Sequence, residues 1–328
     1  MTKKIAILAS GGNSSAMNNA IITLVRKAKM YGIEVELIYD GYKGLLEKKF
    51  VKPDLQVLSY FNNKGNVIIG SARSTKFRDP EYKKQAAEFL KERGIDTLFV
   101  IGGDGSYQGA YLLSKFGVRV ICLPGTIDND IRSTEESIGF STTLNTIVTS
   151  IDALRDSFDS HSGVCIAEVM GRRYPDLAIY AGIATDSELI ITCENVMTSE
   201  QILEVVNRSW ENKHRCCMIV VTEQIYGKDG LPTLKDIAKE IEEKTGRTTR
   251  VCVLGHTQRG GVPTAEDRYI ANTLASYALD VAVNESGNYA IGIKLGKPHA
   301  EPIDNALAID AKKPNTEILK KYFKYNCF

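Results

Sequence analysis

Apolar residues form short uninterrupted runs that recur along the chain, and longer amphipathic stretches separate them. The runs are rich in Val, Ile and Leu and cover residues 5–9, 35–39, 97–101, 118–123, 164–169, 189–192, 218–222 and 251–254. Runs of this length without polar alternation are typical of strands buried on both faces of a parallel sheet. The pattern therefore predicts mainly parallel β-structure.

The stretches between the runs have the periodicity of helices. In residues 17–28 the apolar positions follow the i, i+3, i+4, i+7 spacing of one helix face. Residues 82–92, 199–210 and 235–244 are predicted helices as well, and Ser199 is the expected cap of the helix 199–210. Alternation of strands and helices indicates a doubly wound α/β architecture. The chain has no repeat, low-complexity segment or linker, so its 328 residues indicate two interleaved domains.

Composition excludes several classes of protein. With 43% hydrophobic and 25% charged residues, the chain is neither disordered nor fibrous, and a net charge of +1 disfavours nucleic acid as a partner. No apolar run approaches the roughly 18 residues of a membrane span. Seven cysteines, an odd number without C-x-x-C spacing, indicate reduced thiols and a cytoplasmic location. Four scattered histidines give no zinc-ligand spacing.

Polar or glycine-rich segments follow nearly every predicted strand. They include SGGNSS after residue 9, GGDGS from 102, GTIDND from 125, MGRR from 170, Glu223, and GHTQRGG from 255. Ligands of open α/β sheets bind outside the carboxyl ends of the strands. We therefore expect these segments to converge on one site.

The segment 102–106 is suited to binding an anion. Its glycines let backbone N–H groups approach a phosphate, and Ser106 could cap the next helix. Asp104 would repel phosphate unless it holds Mg²⁺. A plain strand–helix turn is the alternative interpretation. The segment is neither a Walker A loop nor G-x-G-x-x-G, because Gln108 replaces the last glycine, and this disfavours a dinucleotide enzyme.

The segment 125–130 adds two aspartates that could serve as general base, metal ligand or sugar-binding group. An Asx turn that caps a helix is the alternative. Arginines near strand ends supply the opposite charge: Arg73, Arg172, Arg250 and Arg259. Guanidinium groups match phosphate oxygens bidentately. Together the residues favour a Mg-nucleotide kinase that acts on a small phosphorylated polyol.

GGDGS, PGTIDND, EVMGR and GHTQRGG, with IYDGY (38–42) and GSAR (70–73), resemble the bacterial ATP-dependent 6-phosphofructokinases over nearly the whole chain. The resemblance implies two interleaved three-layer α/β domains with the active site in the cleft between them. Residues 1–138 and 257–305 would form the larger, ATP-binding domain. Residues 139–256 and 306–328 would form the smaller, sugar-phosphate-binding domain. A homotetramer with active sites shared between subunits is also implied.

The resemblance assigns roles residue by residue. Asp128 would accept the proton of the sugar 1-hydroxyl, and Asp104 would bind Mg²⁺. Nucleotide contacts are implied at Gly12, Arg73, Gly103, Gly105 and Ser106. Contacts around the transferring phosphoryl are implied at Thr126, Asp130 and Arg172. Sugar contacts are implied at Met170, Gly171 and Glu223. Contacts to the 6-phosphate are implied at Arg250, His256 and Arg259, with Arg250 reaching in from a neighbouring subunit.

The resemblance also concerns the phosphoryl donor and control. Pyrophosphate-using relatives carry Asp and Lys where this chain has Gly105 and Gly125, so the expected donor is ATP with Mg²⁺. The family's effector site matches at three positions and lacks basic residues at four. The matching residues are Arg26, Arg155 and Glu188. The non-basic replacements are Ile22, Leu55, Asn212 and His214. We expect control by ADP and phosphoenolpyruvate to be weak or absent.

Two further departures affect the substrate loops. Gly163 stands where the family has a second intersubunit arginine, so weakened sugar-phosphate binding is expected. The first loop reads GGNSSAMN where the family has GGD-x-PG-x-N. Asn13, Ser14 or Ser15 could still cap the following helix. Ala16 replaces a glycine, which matters if that position needs a positive φ.

Three functions remain in view. The first is phosphorylation of fructose 6-phosphate at the 1-hydroxyl by MgATP, the committed step of glycolysis. The second is the same chemistry on tagatose 6-phosphate or sedoheptulose 7-phosphate, which Gly163 motivates. The third is a regulatory or binding subunit without activity. The retained Asp104, Asp128 and Arg172 argue against the third.

Overall fold

The structure is a computed structural model that describes residues 2–309, 318–319 and 321–322. Helices and strands alternate along most of it. In chain order they are β1 (Lys4–Ser10), α1 (Met17–Met30), β2 (Glu34–Ile38), α2 (Gly41–Leu46), β3 (Phe50–Val51), α3 (Leu55–Ser59), α4 (Pro80–Glu92), β4 (Thr97–Gly102), α5 (Asp104–Ser114), β5 (Arg119–Pro124), α6 (Phe140–His161), β6 (Val164–Val169), α7 (Asp176–Ala184), β7 (Leu189–Ile191), α8 (Ser199–Glu211), β8 (Cys217–Thr222), α9 (Leu234–Thr245), β9 (Thr249–Val253), α10 (Ala265–Asn284), β10 (Tyr289–Lys294), β11 (Lys297–Pro302) and α11 (Ile303–Ala308).

The described residues form two compact units. The first comprises those within Met1–Thr142 and Arg259–Lys312, and the second those within Thr143–Gln258 and Lys313–Phe328. Each unit is thus built from two separate stretches of the chain. The predicted division was 1–138 with 257–305 and 139–256 with 306–328. Its boundaries lie a few residues from those of the two compact units. Much of the segment 306–328 lies outside the described residues, and the role of each unit stays a prediction.

The first unit contains a seven-stranded sheet in the order β11-β10-β5-β4-β1-β2-β3. The five central strands run parallel, and β11 and β3 are antiparallel edge strands. Side chains of β1 alternate between two cores. Ile5 and Ile7 pack into the core that contains α1 and α10, and Ala6 and Leu8 pack into the core on the other face. Burial on both faces explains the continuous apolar run in this strand.

The second unit contains a four-stranded, wholly parallel sheet in the order β7-β8-β6-β9. Helices α8 and α9 cover one face, where Val164, Ile166 and Ile219 are buried. Capping boxes at Thr198 and Thr233 begin these two helices. The predicted cap of α8, Ser199, is therefore one residue late.

The structure confirms the predicted α/β class, its parallel-dominated sheets and its two-domain arrangement. The six described cysteines are free, and the seventh, Cys327, lies outside the described residues. No helix among the described residues is long and apolar enough to cross a membrane.

Candidate active site

In the first unit, three predicted site segments follow neighbouring strands. Ser10, Gly102 and Pro124 are partners in register at the carboxyl ends of β1, β4 and β5. The chain leaves β1 toward β2 on one side, whereas β4 and β5 lie on the other side. Ligand sites of doubly wound sheets form at such a reversal of strand order. The segments 11–16, 103–106 and 125–130 therefore lie where a ligand site is expected.

The loop after β1 turns sharply before α1. Ala16 precedes α1 with φ 71°, in the left-handed region, so the residue that replaces the family glycine does occupy a glycine-type conformation. No side chain caps α1, and the capping prediction for Asn13, Ser14 or Ser15 was wrong. The two serine hydroxyls donate to distant carbonyls instead, Ser14 to Ile138 at 2.8 Å and Ser15 to Gly261 at 3.3 Å.

The loop after β4 opens α5, with Gly103 at the N-cap position. Its Ser106 does not cap the helix as predicted, because the hydroxyl donates to the carbonyl of Ser10 at 3.0 Å. Tyr42 donates its hydroxyl proton to the Ser106 carbonyl at 2.7 Å, which ties α2 to α5. A Cβ on Gly105 would meet nothing within 4 Å. Space is therefore open beside the N-terminus of α5, where an anion is favoured.

The loop after β5 carries the two aspartates. Thr126 Oγ1 accepts a hydrogen bond from the Asp128 N–H at 3.2 Å, and Ser137 donates to the Thr126 carbonyl at 2.8 Å. These bonds fix the backbone that presents Asp128. Both Asp128 and Asp130 are only partly exposed. Ser137 lies outside the motifs, and no sequence signal marked it.

The two carboxylates are electrostatically coupled. Burial raises the pKa of Asp128, although Arg259 and Arg73 oppose the shift. Burial first, and then the charge of Asp128, raise the pKa of Asp130 to about 6. Arg259 is also close to Gly12, since a Cβ placed there would lie 2.6 Å from its Nη1 atom. The first unit thus brings together cationic and anionic groups that sequence reasoning assigned to one reaction.

Among the described residues, no group of three or more His, Cys, Asp or Glu side chains could enclose a metal ion by itself. A magnesium ion bound with nucleotide phosphates needs only one or two protein carboxylates. Asp130 Oδ1 is buried and has no hydrogen-bond partner in the described part of the chain. The charge of Asp104 also contributes to the raised pKa of Asp130. Asp104 and Asp130 therefore fit a magnesium ion that phosphate oxygens and water complete.

In the second unit, three loops at the carboxyl ends of strands lie together. Gln258 is buried; its Oε1 accepts from the Met170 N–H at 3.1 Å, and its Nε2 donates to Gly255 at 2.9 Å. The Glu223 N–H donates to Val169 at 2.7 Å. The structure thereby groups Met170, Gly171 and Glu223. Gln258 is a support that the sequence analysis missed, although it lies inside the motif GHTQRGG.

The other residues of the second unit differ in exposure. Gly171 adopts φ 112° and is buried, with a Cβ position only 2.6 Å from the Tyr174 carbonyl, while the neighbouring Arg172 is exposed. His256 is exposed in the 3-10 turn Gly255–Arg259. Arg250 is exposed on β9, and its Nη1 donates to Glu242 at 2.8 Å. Of the three predicted 6-phosphate contacts, the second unit contains Arg250 and His256, and the first contains Arg259.

Gly163 is a buried residue at the entry to β6. A Cβ there would lie 2.9 Å from the Thr248 carbonyl and 3.0 Å from the Phe158 ring. A larger side chain would therefore require the backbone or the ring to shift. Glycine fits here without rearrangement, whereas arginine would need its neighbours to move.

Known proteins resemble this chain in sequence and in fold. A family model described as Phosphofructokinase matches residues 4–282. Curated proteins named ATP-dependent 6-phosphofructokinase are 45% identical in Mycoplasma mobile, over 99% of both chains, and 44% identical in Haemophilus influenzae, over 90% of both. Phosphofructokinase from Saccharomyces cerevisiae superposes with a TM-score of 0.86 at 31% identity, covering 99% of this chain and 47% of that one. A pyrophosphate-dependent phosphofructokinase from Marinobacter aquaeolei shares the fold, with a TM-score of 0.82 at 20% identity. The chain belongs to the phosphofructokinase family.

Proposed function

We propose that the chain transfers the γ-phosphoryl group of ATP to the 1-hydroxyl of fructose 6-phosphate, giving fructose 1,6-bisphosphate and ADP in glycolysis. The observation that carries the proposal is the group around Asp128. A partly buried carboxylate lies within the electrostatic influence of Arg259 and Arg73 and beside a second carboxylate with an unpartnered oxygen. A proton acceptor, cations and a magnesium-competent pair are what phosphoryl transfer to an alcohol requires.

Within this function Asp128 accepts the hydroxyl proton. Its buried position keeps the carboxylate basic, because the pKa is raised toward the working range of a general base. Asp104, with Asp130, would hold Mg²⁺, which neutralises phosphate charge when bound. Gly12, Gly103, Gly105 and Ser106 would contact the nucleotide together with Arg73. Thr126 and Arg172 would contact the transferring phosphoryl.

The second unit would supply the sugar contacts. Met170, Gly171 and Glu223 would bind the sugar hydroxyls, and His256 with Arg250 would bind the 6-phosphate. Arg250 would reach a neighbouring subunit of a homotetramer, and its exposure on β9 is compatible with that role. Burial, and then the charge of Glu223, raise the pKa of Glu168, so Glu223 adds negative charge to this region. The negative charge of Glu223 favours binding of sugar hydroxyl groups, rather than a phosphate, beside it.

ATP is the proposed donor because the space beside Gly105 is open. A carboxylate at that position would enter the space beside the helix N-terminus, where an additional nucleotide phosphate would otherwise be favoured. At Gly125 a Cβ would meet Met17 Cε at 2.8 Å and Ile101 Cγ2 at 2.9 Å, so a lysine would displace core side chains. The open space at Gly105 thus favours a donor larger than pyrophosphate, whereas the packed surroundings of Gly125 give no such support.

We also infer that control by ADP and phosphoenolpyruvate is weak. A cavity of about 310 Å³ in the second unit carries equal numbers of basic and acidic side chains: Arg155, His214, Arg215, Asp156, Asp159 and Glu188. Glu188 Oε1 lies 3.3 Å from Arg155 Nη1 and 3.2 Å from His214 Nδ1. A cavity whose cations face carboxylates offers little net attraction to an anionic effector.

Arg26 is retained, but three other effector-site positions add no positive charge. Ile22 is buried and Leu55 is half-buried in the first unit, and Asn212 is an exposed, uncharged residue of the second. Fructose 6-phosphate saturation curves measured with and without ADP should therefore superimpose. A sigmoidal curve that ADP converts to a hyperbola would contradict this inference.

The proposed activity is tested by a coupled assay of ADP release. MgATP with fructose 6-phosphate should give turnover, and pyrophosphate in place of ATP should not. Asp128→Ala should lower kcat by about 10²–10⁴, the usual contribution of a general base. Asp152→Asn, an exposed change on α6, is the control and should retain the full rate. Turnover with tagatose 6-phosphate or sedoheptulose 7-phosphate instead would identify the alternative acceptor that Gly163 motivates. No turnover with any sugar phosphate would exclude both kinase functions.

A further inference from the structure

Gln258 connects two loops that follow neighbouring strands of the second unit. Strands β6 and β9 pair in register as far as Glu168 and Val253. Beyond this point the Gln258 side chain continues the connection. Its Oε1 accepts a hydrogen bond from the Met170 N–H at 3.1 Å, and its Nε2 donates to the Gly255 carbonyl at 2.9 Å. One amide thus joins the loop after β6 to the turn after β9.

Burial makes this connection specific. Gln258 is only 1% exposed, and it lies in the 3-10 turn Gly255–Arg259. Its hydrogen bond with Met170 is buried as well, so water does not replace it. A buried backbone donor or acceptor that loses its partner is unfavourable. The amide therefore defines one separation between the turn and the Met170 backbone.

The two joined segments carry different parts of the proposed sugar site. Met170 and Gly171 would contact the sugar hydroxyls, and His256 in the turn would contact the 6-phosphate. His256 is exposed, whereas Gln258, two residues further on, is buried. The turn thus presents one side chain outward and is anchored by the other. The separation of the two segments then corresponds to the distance between the hydroxyls and the phosphate of the bound sugar.

We propose that Gln258 is a positioning residue that sets this separation, so that the site prefers a six-carbon sugar phosphate to a longer one. The inference rests on the proposed function for the identity of the substrate, whereas the two hydrogen bonds do not depend on it. A purely structural role is the alternative. It would lower stability and affect both substrates and every acceptor alike.

The kinetic test compares Gln258→Leu with Gln201→Leu. Gln201 is an exposed residue of the second unit whose Oε1 also accepts from a backbone N–H, that of Thr198 at 2.9 Å. Gln258→Leu should raise KM for fructose 6-phosphate about 3- to 10-fold or more, the range for one hydrogen bond, with KM for MgATP within about twofold of wild type. Its preference for fructose 6-phosphate over sedoheptulose 7-phosphate, as a ratio of kcat/KM, should fall at least about threefold. Gln201→Leu should change none of these by more than about twofold. An equal rise in both KM values, or an unchanged preference, would overturn the proposal.

Gln258→Glu keeps the size of the side chain and separates positioning from folding within one variant. A protonated carboxyl accepts from Met170 and donates to Gly255 as the amide does, whereas an ionised one cannot donate. Burial favours the protonated form. At about pH 5.5 the variant should therefore have a KM for fructose 6-phosphate within about twofold of wild type, and at about pH 8.5 a KM at least about threefold higher than wild type. A KM raised by the same factor at both pH values contradicts the proposed role.

Amide hydrogen exchange followed by mass spectrometry requires no turnover. Gln258→Leu should speed exchange at least about threefold in peptides that contain Met170 and in peptides that contain His256, and Gln201→Leu should change neither. Unchanged exchange at Met170 in Gln258→Leu overturns the positioning role. A wild-type protein inactive with every sugar phosphate counts against the proposed function, and the exchange rates then decide whether Gln258 positions the two segments.

Discussion

Asp267 anchors the segment that leads into α6, and its removal should destabilise the protein strongly. The carboxylate is fully buried; Oδ1 accepts from the Gly139 N–H at 2.8 Å, and Oδ2 accepts from the Thr142 N–H at 2.7 Å and from the Thr142 hydroxyl. Asp267→Ala leaves two backbone donors without acceptors, because the hydroxyl can turn toward Thr264. Each unsatisfied buried donor costs about 1–3 kcal/mol, so the free energy of unfolding should fall by about 2–6 kcal/mol.

Urea unfolding followed by circular dichroism measures this loss. The neighbouring Glu266 provides a matched control, since its exposed Oε2 accepts a hydrogen bond from Ser141 at 2.7 Å. Glu266→Ala should lower the unfolding free energy by no more than about 0.5 kcal/mol. Asp267→Asn should fall between the two, because an amide can accept from one of the two backbone N–H groups through its oxygen but places its NH₂ group against the other. An Asp267→Ala variant as stable as Glu266→Ala would refute the assignment of the carboxylate as the anchor.

Three further predictions concern the site. Burial, and then the charge of Asp128, raise the pKa of Asp130 in the folded protein to about 6, above the ordinary value of 3.8. Asp130→Asn removes the buried charge, so it should stabilise the ligand-free protein by about 2–3 kcal/mol above pH 6, and this gain should disappear as the pH falls toward 4. The same substitution should lower kcat. A melting temperature that does not rise at pH 8 would contradict the expected stabilisation. Ala16→Gly should change the free energy of unfolding by less than about 1 kcal/mol, as measured by urea titration. It relieves about 1–2 kcal/mol of left-handed backbone strain, but it also removes a buried methyl group and makes the unfolded chain more flexible. Gly105→Asp should raise KM for MgATP at least about tenfold without lowering the melting temperature, since its Cβ meets no neighbour within 4 Å; an unchanged KM would show that ATP avoids this space.

Apolar runs predicted the central strands well, because those strands are buried on both faces and carry no competing polar pattern. The edge hairpin of β10 and β11 was missed, since polar residues alternate with apolar ones in Lys297–Pro302 and the run is broken. Helix α6 was missed because serine and threonine occupy many of its positions. Strand ends also predicted which segments gather within each unit. They did so because parallel strands deliver their loops to one edge of a sheet.

Side-chain hydrogen bonds in the loops were not predictable in the same way. Propensity assigned Ser14 and Ser15 to helix capping, yet both hydroxyls bond carbonyls more than a hundred residues away. Asn13 and Arg259 meet across a similar distance in the chain. Such contacts depend on which loops the folded sheet brings together in three dimensions. Local sequence rules consider only hydrogen-bond partners that lie close in the sequence.

Within the motifs, hydrogen-bond partners distinguish residues that support the fold from residues that are available for binding and catalysis. Ser106, whose contact with nucleotide stays a prediction, already donates its hydroxyl proton to the Ser10 carbonyl and its N–H to the Gly103 carbonyl. Gln258 likewise spends both ends of its amide inside the second unit. Asp130 differs, because burial gives it a raised pKa while one of its oxygens lacks a partner. A buried charge without a partner is unfavourable in the free protein, and a ligand or metal that pairs with it recovers that free energy on binding. The residues that bind substrate are therefore best sought among those whose polar atoms the fold leaves unsatisfied, and motif membership alone does not distinguish them.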